Sequence, residues 1–136
     1  MNRRDFMWMT AAVSVALPVA ARAATTDYSP DLLAAELAAG KTVFLDFKAS
    51  WCGTCAAQGR VIEALKAADP AYNASISFLN VDWDQWGEGA LVQQLNIPRR
   101  STLVVLKGTQ ELGRIVAGTD KAEIKALMDL ALQAAV

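Results

Sequence analysis

The chain is expected to fold as an α/β domain, a three-layer arrangement in which helices flank a central mixed β-sheet of about four strands. Three observations lead there. Short apolar runs rich in strand-forming residues alternate with segments whose apolar positions recur at helical spacing, the pattern of a sheet covered on both faces. These segments follow one another as α-β-α-β-α-β-β-α through short connections, with no repeat, linker or low-complexity tract. A length of 136 residues suits a single hydrophobic core better than two.

The first residues stand apart from that pattern. Asn2-Arg3-Arg4 gives a positive start, and an apolar stretch through Met9, Val13, Val15 and Leu17 is too short to span a bilayer comfortably. Ala21-Arg22-Ala23 then supplies small residues for cleavage, so residues 1–23 read as a signal peptide and 24–136 as the domain. Arg3-Arg4-Asp5-Phe6 resembles the twin-arginine export signal, which places the protein in a bacterial periplasm. An uncleaved signal would be its one contact with the membrane.

Within the domain, Ser29-Pro30-Asp31 sets a capping hydroxyl before a proline at the first helical position. Leu32, Leu33 and Leu37 share a face of that helix until Gly40 stops it. Thr42 to Phe47 is a nearly continuous apolar run, as expected of a strand covered on both sides. A helix follows from Cys55 to Ala68, with Val61, Ile62 and Leu65 at helical spacing, and ends at Asp69-Pro70. Ile76 to Val81 reads as a second buried strand and Gly87 to Leu95 as a short helix. Thr102 to Leu106 and Glu111 to Val116 form a hairpin across Gly108. In the last helix Asp120 and Glu123 make a capping pair ahead of the stripe Ile124, Leu127, Met128 and Ala131.

Composition narrows the chemistry. A net charge of −1 without any long basic run lacks the electrostatic footprint of a nucleic-acid binder. Histidine is absent, which excludes Ser-His, Cys-His and HExxH catalysis. The remaining reactive groups of note are Cys52 and Cys55, the only cysteines, placed where a strand turns into a helix.

A thiolate at a helix N-terminus is stabilised by unpaired N–H groups and the helix dipole, and the thiolate is the nucleophile of disulfide exchange. Cys52 is thus the expected attacker, and Cys55, one turn deeper, the sulfur that resolves the mixed disulfide. A structural zinc site needs four ligands, and the chain has no further cysteine or histidine to supply them. A purely structural disulfide is the alternative, although so small a ring constrains the unfolded chain little.

The stretch Phe44-Leu45-Asp46-Phe47-Lys48-Ala49-Ser50-Trp51-Cys52-Gly53-Thr54-Cys55 resembles the active site of the thioredoxin family. The likeness extends from about Ser29 to Ala134, through Leu79-Asn80-Val81-Asp82, Ser101-Thr102-Leu103-Val104, Gly113 and Gly118. It implies the thioredoxin-like fold, a redox-active Cys52–Cys55 disulfide with no other cofactor and no metal, and catalytic roles for Cys52, Cys55 and Asp46. Trp51, Gly53 and Thr54 would complete the motif, Trp51 bordering the reactive sulfur. Asp46 would be a buried carboxyl that moves the proton of Cys55, since burial raises a carboxyl's pKa toward neutrality. Arg100, Ser101 and Thr102 would line the substrate groove.

Three positions depart from the family pattern. Ser101 stands where the family carries a cis-proline; serine favours a trans peptide there and offers a hydroxyl to a thiolate or a substrate, while a missing proline would leave the sulfurs more open. Arg100 beside it is placed to lower a thiol pKa or to attract an acidic partner. Lys48 replaces a frequent aromatic residue, and Phe78 a lysine that often partners the buried acid. Trp83 and Trp86, set among Asp82, Asp84 and Glu88, suit either core packing or a partner surface.

The function expected is that of an exported, monomeric thiol–disulfide oxidoreductase working in the reducing direction. Its partners would be disulfide-containing proteins and an upstream thiol protein that donates electrons. Gly53-Thr54 resembles the dipeptides of reducing members and lacks the histidine found between the cysteines of strong oxidants. Two other functions fit the same residues: Cu(I) handling by the two thiolates, and a redox-inert interaction module on the same scaffold.

Overall fold

The structure is a computed structural model that describes residues 25–136, and the expected export segment 1–23 lies outside the described residues. In chain order the elements are β1 (Thr26–Asp27), α1 (Pro30–Ala38), β2 (Thr42–Lys48), α2 (Gly53–Ala68), α3 (Ala71–Ser75), β3 (Ile76–Asp82), α4 (Trp83–Trp86), α5 (Ala90–Gln94), β4 (Thr102–Lys107), β5 (Gln110–Val116) and α6 (Lys121–Ala134). Ser29 caps α1 by accepting the Leu32 N–H at 3.1 Å, and Asp120 caps α6 through the Glu123 N–H at 3.0 Å. Both caps stand where the sequence put them.

The strands form one sheet in the order β1-β3-β2-β4-β5. β2 runs parallel to β3 and antiparallel to β4, so the sheet is mixed, and β2 lies at its centre. The sheet has five strands where about four were expected. The additional one, β1, has two exposed residues and is defined by its pairing with Leu79 and Asn80, so it carries no alternation of its own to read.

Central position explains the burial of β2. Val43, Leu45 and Phe47 pack with Leu33, Leu91, Val92 and Ile97 on the α1 and α5 side, while Phe44 packs with Ile62, Leu65, Ile124, Leu127 and Met128 on the α2 and α6 side. Successive strand residues point to opposite faces, so Asp46 shares the α2 side with Phe44.

Two local expectations are corrected. The helix expected over Gly87 to Leu95 is found as α5 but starts only at Ala90, and an unexpected turn of helix, α4, precedes it, because Gly87 and Gly89 donate to the Trp83 and Trp86 carbonyls at 2.9 Å each and turn the chain between α4 and α5. A Cβ on Gly87 would lie 2.6 Å from the Trp83 oxygen, so only glycine fits that turn. α3 was not expected; Asp69 Oδ1 accepts the Ala71 N–H at 2.9 Å and starts one short turn of helix after Pro70. Among the described residues no helix is long and apolar enough to cross a membrane.

Candidate active site

Strand β2 delivers the chain to the cysteine motif at the end of the sheet. Cys52 is the N-cap of α2, with extended backbone, and its Sγ accepts the Cys55 N–H at 3.2 Å. A sulfur in that position replaces the oxygen of an ordinary capping side chain and meets the positive end of a 16-residue helix. Cys55 lies in the first turn of α2, and the two residues are joined as a disulfide with their Cα atoms 5.2 Å apart. Gly53 is exposed and Thr54 half-buried between them.

Ser101 stands directly against the disulfide. Its Oγ lies 3.1 Å from Cys52 Sγ and 3.1 Å from Cys55 Sγ. The residue is fully buried, in a trans peptide and in the left-handed region at φ 64°. Its backbone is committed as well: the N–H donates to the Phe47 carbonyl at 2.7 Å, and the carbonyl accepts the Ala117 N–H at 2.8 Å and Gln58 Nε2 at 2.9 Å. The hydroxyl therefore serves the sulfurs and is not presented to solvent. The sulfurs are not left open either; Cys52 and Cys55 are 4% and 1% exposed. Ala49, the disulfide and Trp83 close over one another.

Trp51 and Arg100 form the outer edge. Trp51 is 58% exposed, yet its Nε1–H donates to both carboxylate oxygens of Asp84, at 2.9 and 3.1 Å. The Arg100 guanidinium carbon lies 4.5 Å from the centre of the Trp51 ring, within range of a cation–π contact. Thr102 is fully buried and its hydroxyl donates to the Arg99 carbonyl at 2.7 Å, so it fixes the loop and offers no side chain to a substrate.

Asp46 occupies the opposite side of α2. It lines a cavity of about 410 Å³ together with Lys48, Ala56, Gly59, Arg60 and Lys66. Its side chain is buried and Oδ1 has no hydrogen-bond partner. Burial pushes its pKa up from 3.8 to about 6, against the opposing pull of Lys48 and Lys66. An exposed strand-end acid is thereby ruled out. A lysine reaches this region from α2: Lys66 Nζ stands 3.9 Å over the Phe78 ring, bonds Thr25 Oγ1 at 2.8 Å and lies 3.5 Å from Glu63 Oε1.

The structure thus brings Trp51, Cys52, Cys55, Arg100 and Ser101 together and places Asp46 beneath, across α2. Two contributors, Gln58 and Lys66, were not singled out in the sequence, and two that were, Trp83 and Asp84, were not connected there with the cysteines. Gln58 is fully buried in α2, and its amide nitrogen bridges the Ser101 and Gly118 carbonyls at 2.9 Å each, tying the helix to the loop that carries Ser101. Lys66 shares the helical face of Ile62 and Leu65, a position from which a buried cation was readable. Asp84 and Trp83 sit on a helix of only four residues, for which no periodicity exists to read. Trp86 is half-buried and packs against the core, edge-on to Tyr28 at 5.1 Å, closer to the packing alternative than to an open partner surface. Among the described residues no group of three or more His, Cys, Asp or Glu could hold a metal ion.

Comparison with known proteins accords with this geometry. The Thioredoxin family model matches residues 24–130. A thioredoxin of Chlorobaculum thiosulfatiphilum is 36% identical over 89 residues, covering 65% of this chain and 78% of that protein. Thioredoxin H2-1 of Oryza sativa subsp. japonica is 35% identical over 85 residues, or 62% of this chain, which spans only 56% of that relative. Among solved structures, thioredoxin from Malassezia sympodialis superposes with a TM-score of 0.67 at 26% identity, covering 79% of this chain and 92% of that one. Trxlp from Edwardsiella tarda gives 0.65 at 29%, covering 79% and 97%. With a family model matching most of its length and the cysteine pair of a thiol–disulfide oxidoreductase at the head of α2, this chain belongs to the thioredoxin family.

Proposed function

We propose that the protein is an exported, monomeric reductase of protein disulfides, working by exchange at Cys52-Gly53-Thr54-Cys55 and recharged by an upstream thiol protein. The observation that carries this reading is the placement of Cys52 Sγ at the N-terminus of α2, accepting the Cys55 N–H, with the Ser101 hydroxyl 3.1 Å from both sulfurs. Every one of those groups favours negative charge on Cys52.

In the reduced protein the single Ser101 proton is donated to the Cys52 thiolate while Oγ accepts from the Cys55 thiol. Cys52 attacks one sulfur of the substrate disulfide, forming a mixed disulfide and releasing the other substrate sulfur as a thiolate. Cys55 gives up its proton, attacks Cys52 Sγ, forms the Cys52–Cys55 disulfide and releases the second substrate thiolate. Two electrons leave the dithiol and reduce one disulfide. Asp46, with its pKa near 6, is the base for the Cys55 proton, and the cavity that it lines connects it to water.

Ser101 takes the place of the family's cis-proline and adds a donor that proline lacks. The reducing direction is supported by Gly53-Thr54, which puts no cationic side chain between the cysteines. Export is supported by Arg3-Arg4, the apolar stretch after them and Ala21-Arg22-Ala23. It predicts a mature N-terminus at Ala24 in protein recovered from the periplasm; an intact Met1 there would contradict cleavage, and protein confined to the cytoplasm would contradict export.

Trapping tests the chemistry. Cys55→Ser is expected to accumulate a covalent adduct with a disulfide-bonded protein, linked through Cys52 and released by dithiothreitol, whereas Cys52→Ser forms none. Adducts of equal yield with both variants, or with neither, overturn the assigned roles.

A further inference from the structure

The guanidinium beside the disulfide has no carboxylate partner among the described residues, unlike three other surface cations. Lys41, Arg114 and Lys125 each pair with a carboxylate on their own or a neighbouring element. Arg100 forms no ion pair among the described residues, and its Nε is buried without an acceptor. Its guanidinium is nevertheless held in place, 4.5 Å over the Trp51 ring, and that ring is itself fixed by the two bonds from Nε1 to Asp84. The next residue in the chain is Ser101, which touches both sulfurs. A preoriented, unneutralised guanidinium thus stands at the rim of the reactive pair.

We propose that Arg100 is a specificity residue that selects disulfides carrying a carboxylate next to the cysteine under attack. This inference rests on the oxidoreductase reading above. A guanidinium stacked on an aromatic face is weakly hydrated and keeps its planar fork free, so it meets a carboxylate with two N–H groups at little cost in ordering. An arriving Asp or Glu side chain, or a terminal carboxylate, is met by the N–H groups at the outer end of that fork. Asp84 on the other edge of Trp51 repels the same group and restricts the acid to the Arg100 side. The exchange chemistry is unchanged; what Arg100 alters is which disulfides dwell long enough at Cys52 to react.

The test uses the full chain, reduced and freed of reductant, and three disulfide-bonded peptides that differ only in having Asp, Ser or Lys beside one cysteine. Each rate is divided by the rate with dithiothreitol to remove the effect of the flanking charge on intrinsic thiol reactivity. The Asp peptide is expected to be reduced about three- to tenfold faster than the Lys peptide at low ionic strength, with the ratio shrinking as salt rises. Arg100→Gln collapses that ratio toward one, Arg100→Glu inverts it, and Arg100→Lys restores part of it. Equal normalised rates for all three peptides, or a ratio that survives in Arg100→Gln, overturn the proposal while leaving the oxidoreductase reading intact. Failure to reduce any of the peptides overturns both.

Discussion

The two sides of α2 at the active site differ in how their polar groups are satisfied. On the β4 side, the Ser101 N–H, carbonyl and hydroxyl all have partners and the Gln58 amide nitrogen locks the loop to the helix, so the groups that touch the sulfurs are satisfied even though Gln58 Oε1 and Arg100 Nε are not. On the β3 side, Asp46 is buried with an unpartnered oxygen at the wall of a cavity of about 410 Å³. The first arrangement fixes geometry and the second leaves a proton acceptor poised. Disulfide exchange needs both: sulfurs held in line, and a place for one proton.

The largest effect is expected on the Asp46 side. Its folded pKa of about 6 lies above the unfolded 3.8, so folding favours the neutral carboxyl. That contribution is complete below pH ~4 and is lost as pH rises through about 6, at which point burial of the charge costs about 3 kcal/mol. Denaturant melts of Asp46→Asn should therefore match the parent at low pH and exceed it by about 3 kcal/mol at pH 8, with the pH dependence between 4 and 7 flattened. The same variant should slow release of product from the mixed disulfide by about 100-fold in stopped-flow assays. A more stable variant with unchanged release kinetics would make Asp46 a burden without a role.

Effects on the Ser101 side should be smaller and of a different kind. Gln58→Ala leaves the Ser101 and Gly118 carbonyls short of a donor and opens a void, for a loss of about 2 kcal/mol in denaturant melts. Ser101→Ala removes a bond to a charged sulfur and should raise the Cys52 thiol pKa by about one unit, read from the pH dependence of alkylation of the reduced protein. An unchanged alkylation profile would show that the helix terminus alone sets that thiolate. The smallest effect belongs to Ala117, whose N–H donates to the Ser101 carbonyl while its own φ is 61°. Glycine relieves that conformation, and Ala117→Gly should raise stability by about 0.5 kcal/mol.

The same contrast governs how much could be read from the sequence. Asp46, Cys52 and Cys55 were legible because a central strand and the helix after it announce themselves through periodicity, and a resemblance to a known family attached roles to them. The caps Ser29 and Asp120 were legible from local chemistry alone. What stayed hidden depends on contacts between distant residues. β1 exists through its pairing with β3, Gln58 acquires its role 43 residues from Ser101, and Lys66 meets the Phe78 ring from another element. Thr102 is a related case: alternation places it in the strand, but only the fold shows its hydroxyl turned back to Arg99.

The central claim is that Cys52 and Cys55 form a reversible couple poised for reduction. It is tested most directly by equilibrating the protein in graded thiol–disulfide buffers and following the fluorescence of Trp51 and Trp83, which flank the pair. A single two-electron transition near −270 mV is the predicted result. A transition near about −120 mV would reverse the proposed direction, and the absence of any reversible Cys52–Cys55 disulfide would contradict the account at its root.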